Sequence, residues 1–175
     1  CVIRIAPPLV MDVDEARAVT EASELAESVL RDVVPTLKEG VRERDVAATI
    51  EFEMKKRGAT GPSFDTIVLF GANSSLPHGV PGDALLKQGD IVLIDMGARL
   101  NGYCSDLTRT YVFGSIPGEW FEEIYALNLH AQRSALKAVR PGVTGREVDA
   151  VAREIIRDGG FGDRFGHGLG HGVGI

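Results

Sequence analysis

Residues 89–114 read GDIVLIDMGARLNGYCSDLTRTYVFG, and the fold class turns on this stretch. IVLID is a short apolar run rich in β-branched residues, which predicts a strand buried on both faces. RLNG reads as a turn, and YCSDLTRTYVFG as a strand returning beside the first, so the pairing is antiparallel. Asp95 closes the first strand and Asp106 lies on the second. A turn centred on Leu100-Asn101 sets Asp95 opposite Asp106. A turn on Asn101-Gly102 shifts the pairing by two and still leaves both carboxylates on one face. In either register two like charges stand about 5–8 Å apart and destabilise the sheet unless positive charge lies between them. A divalent cation meets that need. So does a solvated hairpin with Arg99 and Arg109 as partners.

Outward from the hairpin the pattern turns helical. Apolar residues at Val19, Ala22, Ala26, Val29, Leu30 and Val33 predict a helix over 14–37, with acidic residues in its first turn. A second helix is expected over 43–57, stopped by Gly58, and SFDTIVLFGANSS (63–75) reads as strand and loop. Beyond the hairpin, helices are expected over 119–139 and 146–158. The helical half repeats. EGVRERDVAATIEFEMKKRG from Glu39 aligns with PGVTGREVDAVAREIIRDGG from Pro141, with Gly40/Gly142, Val41/Val143, Arg44/Arg146, Val46/Val148, Ala48/Ala150 and Gly58/Gly160 identical. Chance likeness of two amphipathic helices is the alternative to a duplicated unit of two helices and strands.

The last stretch, FGHGLGHGVGI (165–175), puts glycine at every second position. Each interior glycine costs a helix about 1 kcal/mol, so the pattern predicts a strand with one face of bare backbone. On a strand His167 and His171 stand roughly 13 Å apart, too far to share one ion at ~2.1 Å. Different roles are expected for them. His78 falls in a loop punctuated by proline and glycine, SSLPHGVPGD (74–83), and His130 in a helix, where it reads as structural. Cys104 reads as small core filler.

With 175 residues, 44% of them hydrophobic and 25% charged, the chain has the size and composition of one soluble globular domain. A net charge of −6 without basic clusters argues against nucleic acid as a partner. No run of eighteen apolar residues predicts a membrane span. Cys1 and Cys104 make no disulfide framework and suggest a reducing, cytoplasmic setting. The chain starts on cysteine and stops within an apolar stretch, which reads as part of a longer protein.

Taken together, LPHGVP (76–81), the hairpin and FGHGLGHGVGI resemble the pita-bread metallopeptidase family of methionine aminopeptidase, proline dipeptidase and aminopeptidase P. The resemblance runs from about Asp14 to the last residue. It implies an α+β pita-bread fold with pseudo-two-fold halves of helices and antiparallel strands, the second half incomplete. Residues 14–175 would then form the C-terminally incomplete catalytic domain, and 1–13 an N-terminal arm or linker remnant. The family holds two divalent metal ions through two aspartates, one histidine and two glutamates. By matching motif, Asp95 resembles the aspartate chelating one ion, Asp106 the aspartate bridging both, and His171 the ligand histidine. His78 and His167 resemble groups that contact substrate and handle protons. Neither glutamate is present; in the family pattern both follow Ile175, and the general base is a glutamate beyond this chain.

Carboxylates with one imidazole suit Mn2+, while Co2+, Fe2+ or Zn2+ can occupy such a site. SSLPHG, YCSDLTRT and the doubled GHGLGHG resemble the proline-specific branch, since methionine aminopeptidases usually carry a single GHGIG and a CHG. The expected function is therefore hydrolysis of the Xaa-Pro bond in dipeptides or short peptides by a water activated between two metals. A proline-containing peptide would be the partner, and a homodimer is the assembly common among proline-specific relatives. The motifs do not separate dipeptidase from aminopeptidase P. Two alternatives stand beside this reading: a non-catalytic module of the same fold that binds peptides or proteins, and a methionine aminopeptidase.

Overall fold

The computed structural model describes residues 11–174. Of the N-terminal arm expected over 1–13, residues 1–10 lie outside the described residues, as does Ile175. Helix α1 spans Val13–Val33 and opens on a capping box. The Asp12 side chain accepts from the Asp14 and Glu15 amides, and Glu15 accepts from the Asp12 amide. It stops short of the expected Leu37 because Pro35 has no N–H to continue the ladder, and Val34–Thr36 tightens into a 3-10 turn. Helix α2 spans Glu43–Lys56. The strands follow: β1 (Gly61–Pro62), β2 (Ile67–Phe70), β3 (Ile91–Met96), β4 (Ala98–Leu100), β5 (Tyr103–Cys104) and β6 (Leu107–Val112). Helices α3 (Glu119–Ala138) and α4 (Gly145–Asp158) complete the order. The fold is the α+β arrangement expected. Among the described residues no helix is long and apolar enough to cross a membrane.

Two compact units result, residues 11–117 with 173–174, and residues 118–172. In the first, two antiparallel three-stranded sheets run in the orders β1-β4-β5 and β2-β3-β6. Val68, Phe70, Val92, Ile94 and Met96 of the second sheet join Ala26, Val29 and Leu30 of α1 and Val46, Ile50 and Met54 of α2 in one core. Fully burying a side chain such as Ile50 or Met54 stabilises the unit by about 1.5–3 kcal/mol. In the second unit Ala131 and Ala135 of α3 meet Val148, Ala152 and Ile156 of α4. A capping box of Thr144 and Glu147 opens α4. Hydrogen bonds from Thr144 hold the Glu147 carboxyl below the usual glutamate range.

The duplication is visible in the backbone. Helices α2 and α4 are both 14 residues long, and both their ends are separated by 102 residues (Glu43 to Gly145, Lys56 to Asp158). Their C-terminal caps share the same two closing bonds. Gly58 donates to Lys55 O and Ala59 to Met54 O; Gly160 donates to Arg157 O and Phe161 to Ile156 O. Gly58 and Gly160 sit at φ 99° and 87°, the left-handed position of this cap. The shared cap and the constant offset at both helix ends favour a duplicated unit over chance likeness of two amphipathic helices.

Candidate metal centre and histidine-bearing loops

The hairpin turns on Asn101-Gly102. Both have positive φ, 52° and 87°, the signature of the tight turn whose twist matches the flanking strands. Of the two registers open from sequence, this one pairs Asp95 with Thr108, and Leu93 with Thr110. Asp106 stands two places from Thr108, on the same face as Asp95, where diagonal neighbours lie about 7 Å apart. The Thr108 hydroxyl donates to Asp95 Oδ1 at 2.8 Å. Arg109 pairs with Ile94, so it springs from the opposite face, and its guanidinium donates to the Thr108 carbonyl at 2.9 Å.

The ladder breaks between Met96 and Ala98, where one sheet gives way to the other. Here only glycine fits without displacing the neighbouring strand, because a Cβ at position 97 would collide with the Ser105 carbonyl oxygen. Ser105, fully buried, accepts from the Ala98 amide at 3.0 Å and donates to Ala22 O of α1 at 3.1 Å. Its side chain is thereby fixed toward the helices. By alternation the neighbouring Asp106 turns the other way, toward the face of Asp95.

That face is more open than expected. Strand β3 alternates: Val92, Ile94 and Met96 are buried, while Ile91, Leu93 and Asp95 are half-buried. The run IVLID is thus buried on one face only, and the correction follows from its place in the sheet, with the helices of its unit packed against one side. Leu69 of β2 pairs with Leu93 and lies on the open face, yet it is 1% exposed. Gly79 explains this: a Cβ there would come within 2.7 Å of Leu69 Cδ1. The loop carrying His78 thus rests on the sheet face that also bears Asp95. His78 itself is exposed.

His167 and His171 belong to the other unit. Contrary to the sequence expectation, residues 165–174 form no strand. For residues 165–172 the physical reason is the lack of a ladder partner, since residues 118–172 contain helices and turns only. Helix α4 takes the ladder's place. Arg153 donates to Phe165 O and His167 O, both at 2.9 Å, and stacks over the Phe165 ring at 4.5 Å. The Leu169 amide donates to Asp149 Oδ1 at 2.8 Å, and Asp149 is paired in turn with Arg153 at 2.8 Å. The Arg153 hydrogen bond, with smaller help from the Leu169 amide, holds the Asp149 carboxyl below the usual aspartate range. His167 and His171 repeat one local arrangement, each ring Nδ1 lying beside the carbonyl of the following glycine at 2.8 and 3.0 Å. Both are exposed, as is His130 on α3. Gly174 O accepts from the Cys104 amide of β5.

Nothing in the sequence singles out Asp149 and Arg153. Their spacing of four on a helix was readable, but it reads as an ordinary surface pair until the chain it grips is known. The structure brings Asp95 and Asp106 onto one face. Among the described residues no group of three or more His, Cys, Asp or Glu side chains gathers to hold an ion. As donors, two carboxylates and an imidazole fit a divalent metal of the hard to borderline kind.

The fold and this carboxylate hairpin define a class. The chain belongs to metallopeptidase family M24, whose model matches residues 17–175, and it has that family's pita-bread fold with the second half incomplete. It is 48% identical over 162 residues to the Xaa-Pro dipeptidase of Pyrococcus furiosus, covering 93% of this chain and 46% of the relative. The solved Xaa-Pro dipeptidase from Bacillus anthracis superposes with a TM-score of 0.92 at 41% identity, over 95% of this chain and 46% of that one. The X-Pro aminopeptidase from Thermotoga maritima gives 0.84 at 40%, over 87% and 43%. The chain spans about half the length of the curated relatives it matches. The family resemblance read from LPHGVP, the hairpin and the glycine-histidine segment is borne out.

Proposed function

We propose that this chain is the part of a metal-dependent Xaa-Pro peptidase that supplies Asp95, Asp106 and His171 to a pair of divalent metal ions. The observation that carries the reading is the Asp95–Asp106 pair on one face of the β3–β6 hairpin, in a chain of family M24 whose relatives include proteins named Xaa-Pro dipeptidase. Residues 14–175 are then the incomplete catalytic domain. Dipeptides are the proposed substrates, because the Pyrococcus and Bacillus relatives bear the dipeptidase name. Manganese is the proposed metal, on the chemistry of the donors.

Asp95 would chelate one ion, with Thr108 fixing the orientation of its carboxylate. Asp106 would bridge the two, and His171 would complete the set. Such a metal pair, when bound, lowers the pKa of a water towards neutrality and stabilises the oxyanion formed on attack. His78 and His167 would contact the peptide and hold or pass a proton. The test is Asp106→Asn in the full-length protein loaded with manganese. Cleavage of Ala-Pro is expected to vanish while the protein stays folded. Retained cleavage overturns the assignment.

A further inference from the structure

Glu43, the first residue of α2, is a carboxylate at 1% exposure. Removing a carboxylate from water is costly unless hydrogen bonds replace the lost hydration. Three donors do so: the Phe70 amide at 2.8 Å, Asn73 Nδ2 at 3.0 Å and the Gly82 amide at 3.0 Å. Phe70 ends β2, Asn73 lies in the 3-10 turn after it, and Gly82 lies beyond His78. One side chain therefore fastens both feet of the segment that carries His78. The surrounding backbone adds to the clamp, with the Arg44 amide donating to Gly82 O and the Glu43 amide to Ala84 O.

None of the three hydrogen bonds that the Glu43 carboxylate accepts lies within the helix. At the duplicated position α4 has Gly145 and still forms over the same 14 residues. Between its feet the segment has few ties of its own, among them Leu76 N to Asn73 O and Gly79 N to Leu76 O. At Gly79 it rests on Leu69, on the sheet face that bears Asp95.

We infer that Glu43 is a positioning residue for catalysis: it sets the placement of His78 by clamping the two ends of the 70–82 loop. This rests on the reading that His78 acts on the substrate. In Glu43→Gln the amide oxygen still accepts, but its NH2 faces a backbone donor, so one foot comes loose. A misplacement of this kind lowers kcat/KM on Ala-Pro by about a hundredfold, chiefly in kcat.

The test is a double-mutant cycle in the full-length, manganese-loaded protein with His78→Ala. Glu43→Gln is expected to lose activity in the wild-type background and to add nothing when His78 is already gone. Asn73→Ala, which removes one donor without unburying the charge, is expected to behave the same way with a smaller loss, and serves if Glu43→Gln does not fold. Equal losses with and without His78 overturn the positioning role and leave His78 standing. Full activity of His78→Ala alone overturns the reading of His78, and the inference falls with it.

Discussion

Gly97 shows how one residue fixes the hairpin. The Ser105 carbonyl fills the place of its missing side chain, and Ser63 Oγ would lie 2.8 Å from a Cβ built there. A backbone carbonyl cannot rotate aside as a side chain can, so Gly97→Ala must part the strands where the two sheets divide. The expected cost is about 1–3 kcal/mol, read as a lower urea midpoint. An unchanged midpoint would show that the hairpin yields at no cost. At the same scale the glycine-histidine stretch misleads. Alternating glycine and apolar residues do favour an extended chain, but extension becomes a strand only beside another strand. No local pattern reveals that His167 is anchored through its own carbonyl to Arg153.

At the scale of elements, the segment 165–169 is fastened to α4 through ionised groups, and its hold therefore depends on pH. Asp149 is depressed below the ordinary aspartate value of 3.8. A depressed carboxyl contributes its full stabilisation above that value and loses it as the pH falls through the lower, folded one. The Leu169 amide resonance should therefore titrate with a midpoint below 3.8, and Asp149→Asn should remove the inflection. A midpoint at or above 3.8 would contradict the arrangement. Legibility differs between elements for physical reasons. Helices α2, α3 and α4 were readable to within one or two residues from apolar spacing and the Gly58 stop, and the hairpin to within the two registers that RLNG allows. The carboxylate pair followed from strand alternation alone. Glu43 was not legible as a loop clamp, because its three donors lie 27 to 39 residues away in sequence.

For the molecule as a whole, duplication has left equivalent core positions whose energetic weights differ. Met54 and Ile156 occupy matching places at the ends of α2 and α4, at 0% and 8% exposure. Truncation to alanine should cost about 2–5 kcal/mol at each, with the larger loss at Met54, whose core spans two helices and a sheet. Urea unfolding of each variant checks this, and a loss under 1 kcal/mol at Met54 would contradict the core described. The Asn101-Gly102 turn carries a consequence for how such chains can vary over time. Asp95 and Asp106 share a face because the strand path between them, through a two-residue turn, keeps side-chain alternation in step. Inserting or deleting a single residue in either arm, without a compensating bulge, would send one carboxylate to the helix side. The loop tip could lengthen without that penalty, provided the arms kept their pairing. A length change at the tip therefore leaves the two carboxylates on one face, whereas one in an arm parts them.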